Sequence, residues 1–247
     1  MPSPTDRLRA GADRALRDAA PARRMRTKLA SDRLAAWGGE RPVRLLDAGC
    51  DVGLLSLALA RRLPRWTIEA VDVNDDMLQL GRTWAAEEGL SQIEFRHADV
   101  TRDLPAGTYD AVVALECLTV IPDLDGALSG LAGALRPGGL FVAHVPDHDW
   151  EPVLRGSADE WPTAVRHGFK AVEFAELLDA HGLRVTWTHG TMRTPLHAAQ
   201  EVRDRIKHAS TRIRLAAHPG LTAAAWLEGH GIAFGPARGL YVEAVRR

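Results

Sequence analysis

The sequence predicts a doubly wound α/β fold with a mostly parallel sheet. Three observations carry that expectation. Short apolar runs bounded by turn residues alternate with amphipathic stretches of about a dozen residues, the pattern of βαβ units. The 247 residues, 46% hydrophobic and 26% charged, suffice for one well-filled domain of this kind. No apolar run approaches the roughly 18 residues that would suggest a membrane span.

Taken in order, residues 5–37 read as one or two helices, with basic faces alternating with Leu8, Leu16, Met25, Leu29 and Leu34. Pro21 divides them and Gly38-Gly39 ends them. Residues 43–46 form a short apolar strand, followed by a glycine turn and a helix over 54–62. Residues 66–73 form a second strand, and Asn74 caps a helix that runs to Gly89. Residues 93–97 and 109–115 are the third and fourth strands. A helix over 124–135, closed by Pro137-Gly138-Gly139, leads into a fifth strand over 140–145. Residues 147–166 lack strong periodicity and read as a loop or lid. A helix over 171–180 precedes a strand over 183–189. Apolar residues near helical spacing predict a long helix over 195–217, then a short one over 221–228 and a last strand over 239–245. The expected organisation is one domain over 1–247. It comprises an N-terminal helical segment (1–40), a ligand-binding core (43–146), a lid (147–170) and a helical insertion (195–235).

The formal net charge of −1 provides no global attraction to nucleic acid or an anionic membrane, so neither is expected as a partner. The charge is uneven, with ten Arg or Lys against five Asp or Glu through residue 41. Two cysteines, Cys50 and Cys117, make neither a disulfide framework nor a four-cysteine metal site, and no metal is expected. The first twenty residues hold Asp6, Asp13 and Asp18 and no apolar stretch of a secretory signal, which predicts a cytoplasmic protein.

The chemistry concentrates in Asp47-Ala48-Gly49-Cys50-Asp51-Val52-Gly53, where a strand turns through glycines into a helix. Such a turn aims backbone N–H groups and a helix N-terminus at a ligand that approaches closely. The dinucleotide pattern G-x-G-x-x-G fails here, since the positions after Gly49 that it requires are Asp51 and Leu54. A carboxylate at Asp47 would face anionic phosphate in a pyrophosphate site, but it suits an ammonium or sulfonium. Asp72, at the end of the second strand beside Val73, can accept from both hydroxyls of a ribose. Asp99, after Ala98 beyond the third strand, can accept from the amine of adenine, with Met77 and Val73 offering apolar faces to the ring. Acids thus follow three consecutive strands at one sheet edge, where open α/β sheets bind ligands.

These residues, with the stretch from Tyr109 to Glu116 and Leu135-Arg136-Pro137-Gly138-Gly139, resemble class I S-adenosylmethionine-dependent methyltransferases. More narrowly they resemble the small-molecule branch related to quinone-biosynthesis methyltransferases. The resemblance covers residues 43–145, and Arg166-His167-Gly168-Phe169 extends it. It implies a Rossmann-like sheet of seven strands with an antiparallel last strand. It further implies that Asp47, Gly49 and Gly53 line the methionine portion of S-adenosylmethionine, that Asp72 holds the ribose and Asp99 the adenine amine, and that Leu115 and Glu116 close over the cofactor. S-adenosylhomocysteine would be the product. Asp51 stands where many members have glycine, so it either reaches the cofactor's ammonium or crowds the site. Thr119-Val120 replaces a stretch in which many members carry histidine.

The acceptor is expected to be a small molecule. Arg203, Arg205, Lys207, Arg212 and Arg214 in the helical insertion could meet an anionic one, or simply form a solvated face. Asp147, His148 and His167 in the lid are the candidate general bases, whereas His144 reads as a buried, satisfied histidine and Cys117 as core. A nicotinamide oxidoreductase is disfavoured, because Tyr109 and Tyr241 are each followed four residues on by valine, not lysine. A macromolecule methyltransferase with an Asn/Asp-Pro-Pro-Tyr motif is disfavoured by Leu115-Glu116-Cys117-Leu118. The alternatives are a non-catalytic binding or regulatory protein of the same fold and cofactor, or a methyltransferase acting on a macromolecule.

Overall fold

The computed structural model describes residues 20–154, 164–206 and 208–247. The expected helices before Pro21 lie outside them. Seven strands form one sheet in the order β3-β2-β1-β4-β5-β7-β6. In chain order these are β1 (Arg44–Ala48), β2 (Thr67–Asp72), β3 (Ile93–His97), β4 (Tyr109–Leu115), β5 (Leu135–Pro146), β6 (Leu183–Thr191) and β7 (Gly239–Arg246). Neighbours among β1 to β5 pair in parallel, and β7 runs antiparallel to both β5 and β6. The order reverses at β1, so β1 and β4 flank a switch point of the kind that binds ligands.

The described helices are α1 (Pro21–Gly38), α2 (Leu54–Arg62), α3 (Asp75–Glu87), α4 (Leu124–Ala134), α5 (Ala171–Ala180), α6 (Thr194–Arg205) and α7 (Thr211–Gly229). Strand alternation divides the core between the sheet's two faces. Leu46, Ala48, Val112 and Phe141 pack with Leu128, Leu131 and Phe174 on the α4 and α5 side. Leu45, Val113, Val142 and Tyr241 pack with Leu34, Leu55, Leu59 and Trp66 on the α1 and α2 side. Pro21 opens α1, where its fixed φ suits the first helical turn and its missing N–H costs nothing. The far end of α1 is fastened by Arg33, whose guanidinium makes two 2.6 Å bonds to Glu243 on β7 and lies 3.9 Å from the Trp187 ring.

Two element boundaries depart from expectation. The long helix expected in the insertion is divided between α6, which ends at Arg205, and α7, which begins at Thr211, and not near Pro219. Ile206 and Ile213 are seven residues apart, the spacing of an unbroken helix, so periodicity conceals the break. Pro219 lies inside α7, where Thr222 Oγ1 donates back to the His218 and Pro219 carbonyls at 3.1 and 3.0 Å. The fifth strand begins at Leu135 and absorbs the Pro-Gly-Gly stretch as an irregularity opposite Tyr109 and Ala111, with Gly138 at φ +75°.

Candidate functional site

The glycine loop forms where β1 ends. Gly49, Asp51 and Gly53 take left-handed backbone (φ +67°, +54° and +72°), which turns the chain sharply into α2. Cys50 N donates to Val71 O at 3.0 Å and fastens the loop to β2. A Cβ on Gly49 would sit 2.5 Å from Cys117 Cβ, so only glycine lets the loop approach the turn after β4.

A cavity of about 530 Å³ opens over the carboxyl ends of β1, β2 and β4. Asp47, Gly49 and Asp51 line it from β1 and the loop, and Asp72 and Val73 from the end of β2. Ala98 and Asp99 line it beyond β3, and Leu115 and Glu116 at the end of β4. Three of the expected contributors are absent from its wall. Ala48 points with Leu46 into the opposite core, and its carbonyl accepts from Cys117 Sγ at 3.3 Å. Gly53 faces Phe95, whose Cε1 would lie 2.6 Å from an added Cβ, so its role is packing. Met77 packs in the cluster under α3, and its N–H is taken by the Asn74 cap at 3.3 Å.

The candidate bases also lie off the cavity wall. Asp147 bridges to Phe169 and caps Asp149 N at 2.9 Å. His148 Nδ1 sits 2.7 Å from Asp149 Oδ1, and His167 stacks on Trp150 with centroids 5.1 Å apart. In the insertion, Arg203 bonds Asp204 at 2.7 Å, and Arg205 and Arg214 are not among the cavity residues. Lys207 and the Arg212 side chain lie outside the described residues.

The carboxylates differ in environment. Asp47 is 4% exposed and accepts from Ser56 Oγ at 2.7 Å. Burial, with the Asp72 charge adding, outweighs that bond and pushes its carboxyl up to about 6. Asp72 accepts from Asp51 N at 2.8 Å and Asn74 N at 2.9 Å, one on each oxygen. Asp99 accepts from Thr101 Oγ1 at 2.7 Å and Thr101 N at 3.0 Å, bonds that hold it below the usual carboxylate range.

Sequence reasoning missed two cations. Arg23 and Arg26, one turn apart on α1, line the cavity. Arg23 Nη1 lies 3.0 Å from Asp51 Oδ2, and Arg26 Nη1 lies 3.9 Å from Glu116 Oε2. Glu116 is also held by His144 Nδ1, while His144 Nε2 lies 2.6 Å from Thr191 Oγ1. Burial works to raise the Glu116 carboxyl, but the Arg26 charge and the hydrogen bond from His144 outweigh it and the net direction is down. Burial depresses His144, so a neutral ring donates from Nδ1 and accepts from Thr191 at Nε2. His144 is therefore buried and satisfied, as expected. Cys117, expected as core, reaches the cavity wall, and burial pushes its thiol up to about 12. The basic bias of the first forty residues was the signal for Arg23 and Arg26, but it named no positions.

Among the described residues no helix is long and apolar enough to cross a membrane, and no cluster of three His, Cys, Asp or Glu could hold a metal.

A family model for a methyltransferase domain matches residues 22–187. The chain belongs to that family. Its members are class I, S-adenosylmethionine-dependent methyltransferases, and the relatives it matches carry methyltransferase names. An uncharacterised methyltransferase of Mycobacterium tuberculosis is 43% identical over 99 residues, 40% of this chain and 48% of that protein. Trans-aconitate 2-methyltransferase of an Azoarcus species is 30% identical over 139 residues, 55% of this chain and 53% of that protein. The chain spans about half the length of these curated relatives. The crystal structure of the cyclase SpnF superposes with a TM-score of 0.64 at 24% identity, covering 89% of this chain and 81% of that one. That likeness establishes the Rossmann-like methyltransferase fold.

Proposed function

We propose that this methyltransferase-family protein moves a methyl group from S-adenosylmethionine to an O, N or C nucleophile of a small molecule. The observation that carries the reading is one cavity in which acids follow three neighbouring strands, Asp47, Asp72 and Asp99, beside a glycine loop. The wall suits a ligand carrying an ammonium and a sulfonium and would repel a pyrophosphate. S-adenosylmethionine supplies a methyl group already activated on sulfur.

In this reading Asp72 accepts from the ribose hydroxyls and Asp99 from the adenine amine, while Gly49 leaves room for the methionine chain. Arg26 binds the methionine carboxylate. Arg23, nearer solvent beside Asp51, is the cation left for an acidic acceptor. The relative named for trans-aconitate is consistent with that acceptor class. Leu115, Val120 and Ile121 keep water from the reacting centre. Alignment of nucleophile, methyl and sulfur is the protein's main task, and good orientation can supply roughly 7–11 kcal/mol. A positioned base would add only about 10²–10⁴-fold. Because Asp147, His148 and His167 sit off the cavity wall, we assign them no proton transfer.

Calorimetry with S-adenosylmethionine and S-adenosylhomocysteine, followed by transfer of labelled methyl into a panel of organic acids, tests the reading. Binding of both ligands and label in a small molecule are expected. Failure to bind either ligand rejects it. A fold neighbour is a cyclase, so binding alone does not establish methyl transfer. Binding without transfer to any acceptor, macromolecules included, would favour a non-catalytic binder.

A further inference from the structure

The turn over residues 117–122 supplies Cys117, Val120 and Ile121 to the cavity wall. It does little to hold itself. Val120 N makes one turn bond to Cys117 O at 3.1 Å, and the buried Thr119 hydroxyl has no partner among the described residues. The bonds that fix it arrive from more than forty residues away. Arg166 Nη1 donates to the carbonyls of Leu118 at 2.5 Å and Ile121 at 2.8 Å, and its Nη2 to Pro122 at 3.3 Å. Val165 N donates to Thr119 O at 2.9 Å. Four of the turn's carbonyls are thereby claimed by two consecutive residues.

The segment that delivers these donors is itself tied to β5. Phe169 N donates to Pro146 O at 3.0 Å, and His148 N to Phe169 O at 3.1 Å. A Cβ on Gly168 would stand 2.7 Å from the Pro146 and Asp147 carbonyls, which shows how closely the backbones approach. Arg166 therefore spans from the end of β5 to the turn after β4, and its position and the turn's are mechanically one.

We propose that Arg166 is a positioning residue for the cofactor cavity, fixing Val120 and Ile121 against the ligand by bonding the carbonyls of their turn. The inference rests on the proposed methyl transfer for the ligand's identity. The planar, forked guanidinium is essential to it, since an ammonium is a compact donor that cannot reach three carbonyls spread along a turn.

The test is S-adenosylhomocysteine affinity by calorimetry, at a temperature well below each protein's melting point, in wild type, Arg166→Lys and Arg166→Ala. Arg166→Lys is expected to lose about tenfold in affinity, at the lower edge of the range for hydrogen bonds to charged groups. Millimolar guanidinium is expected to restore part of the affinity of Arg166→Ala, a rescue that a merely structural defect would not show. Should Arg166→Ala not fold, Val165→Pro removes a single donor from the same set at an exposed position, and a smaller loss of the same sign is expected. Unchanged affinity in Arg166→Lys, no rescue of Arg166→Ala, or unchanged affinity in Val165→Pro overturns the proposal. A wild type that binds no S-adenosylhomocysteine overturns the methyltransferase reading itself and the proposal with it.

Discussion

Asp47 gives the sharpest test, because the same carboxylate should weaken the empty protein and strengthen the loaded one. Its carboxyl is raised from 3.8 to about 6, chiefly by burial. At about 1.4 kcal/mol per pH unit, that is roughly 3 kcal/mol held against the folded state once the group is ionised. The sign follows from proton uptake. Between pH 4 and 6 the folded protein keeps this proton and the unfolded chain does not, so this group's contribution falls as pH rises and is lost above about 6. Asp47→Asn stays neutral and can still accept from Ser56 Oγ, which now bonds Asp47 at 2.7 Å. At pH 7.5 the variant should therefore melt higher, by up to roughly 6–12 °C for 3 kcal/mol in a domain of this size. At pH 4 the two proteins should melt together. The same variant should bind S-adenosylhomocysteine at least about tenfold more weakly at pH 7.5, having lost a charge facing the ligand's ammonium. Thermal scans at both pH values and one calorimetric titration suffice. An equal melting difference at pH 4 and pH 7.5 would refute the reasoning from buried charge, and unchanged affinity would remove Asp47 from the binding site.

Four further outcomes are expected. Asp72→Ala should weaken S-adenosylhomocysteine binding by about 1.5–3 kcal/mol, as charge-assisted hydrogen bonds are lost; unchanged calorimetric affinity rejects the ribose assignment. Asp51→Gly removes the partner of Arg23, 3.0 Å away, and relieves a left-handed non-glycine residue. Its stability should stay within about 1 kcal/mol of wild type while affinity drops a few-fold, and tighter binding would mean that the side chain obstructs the cavity. Gly53→Ala, with a Cβ 2.6 Å from Phe95 and φ at +72°, should lose more than about 1 kcal/mol in denaturant unfolding. An unaltered midpoint would contradict the packing role. Arg33→Met, remote from the cavity but holding α1 to β7, should weaken S-adenosylhomocysteine binding as well as stability. Loss of stability alone would show that Arg23 and Arg26 are positioned independently of that anchor.

The acids at the strand ends were legible because their placement is local. Once strand and turn are assigned, the side chain at the carboxyl end must face the crevice or the core, and only the choice between them needs the sheet. That choice misled at Ala48. Period-two alternation sends Leu46 and Ala48 to the α4 and α5 face, while Asp47 turns toward α2 and Ser56. Met77 misled for a related reason: its distance from Asp72 suits a ring contact, yet its side chain belongs to the cluster under α3. Arg23 and Arg26 were illegible because nothing local brings α1 to the cavity. Distant packing does so, Ala30 and Leu34 against Leu55, Leu59 and Trp66, and Met25 against Leu196, with the Arg33–Glu243 bond between positions 210 residues apart added to it. The carbonyl bonding of Arg166 was equally hidden, since a sequence displays no backbone acceptors.

One regularity joins what was legible to what was not. Asp51 and Glu116 are acids lining the cavity and, unlike most residues without glycine's freedom, both hold left-handed backbone, at φ +54° and +66°. Such a conformation costs of order 1 kcal/mol or more and persists only where surroundings over-determine it. Each is met by a guanidinium from the same helix turn, Asp51 by Arg23 and Glu116 by Arg26, and Glu116 N is further bonded to His144 O at 2.8 Å. Docking of α1 therefore offsets strain and charge on both walls of the cavity at once. It follows that the cavity is completed by α1, and that the 43–146 core alone holds a strained Asp51 without its cation and a strained Glu116 met only by His144.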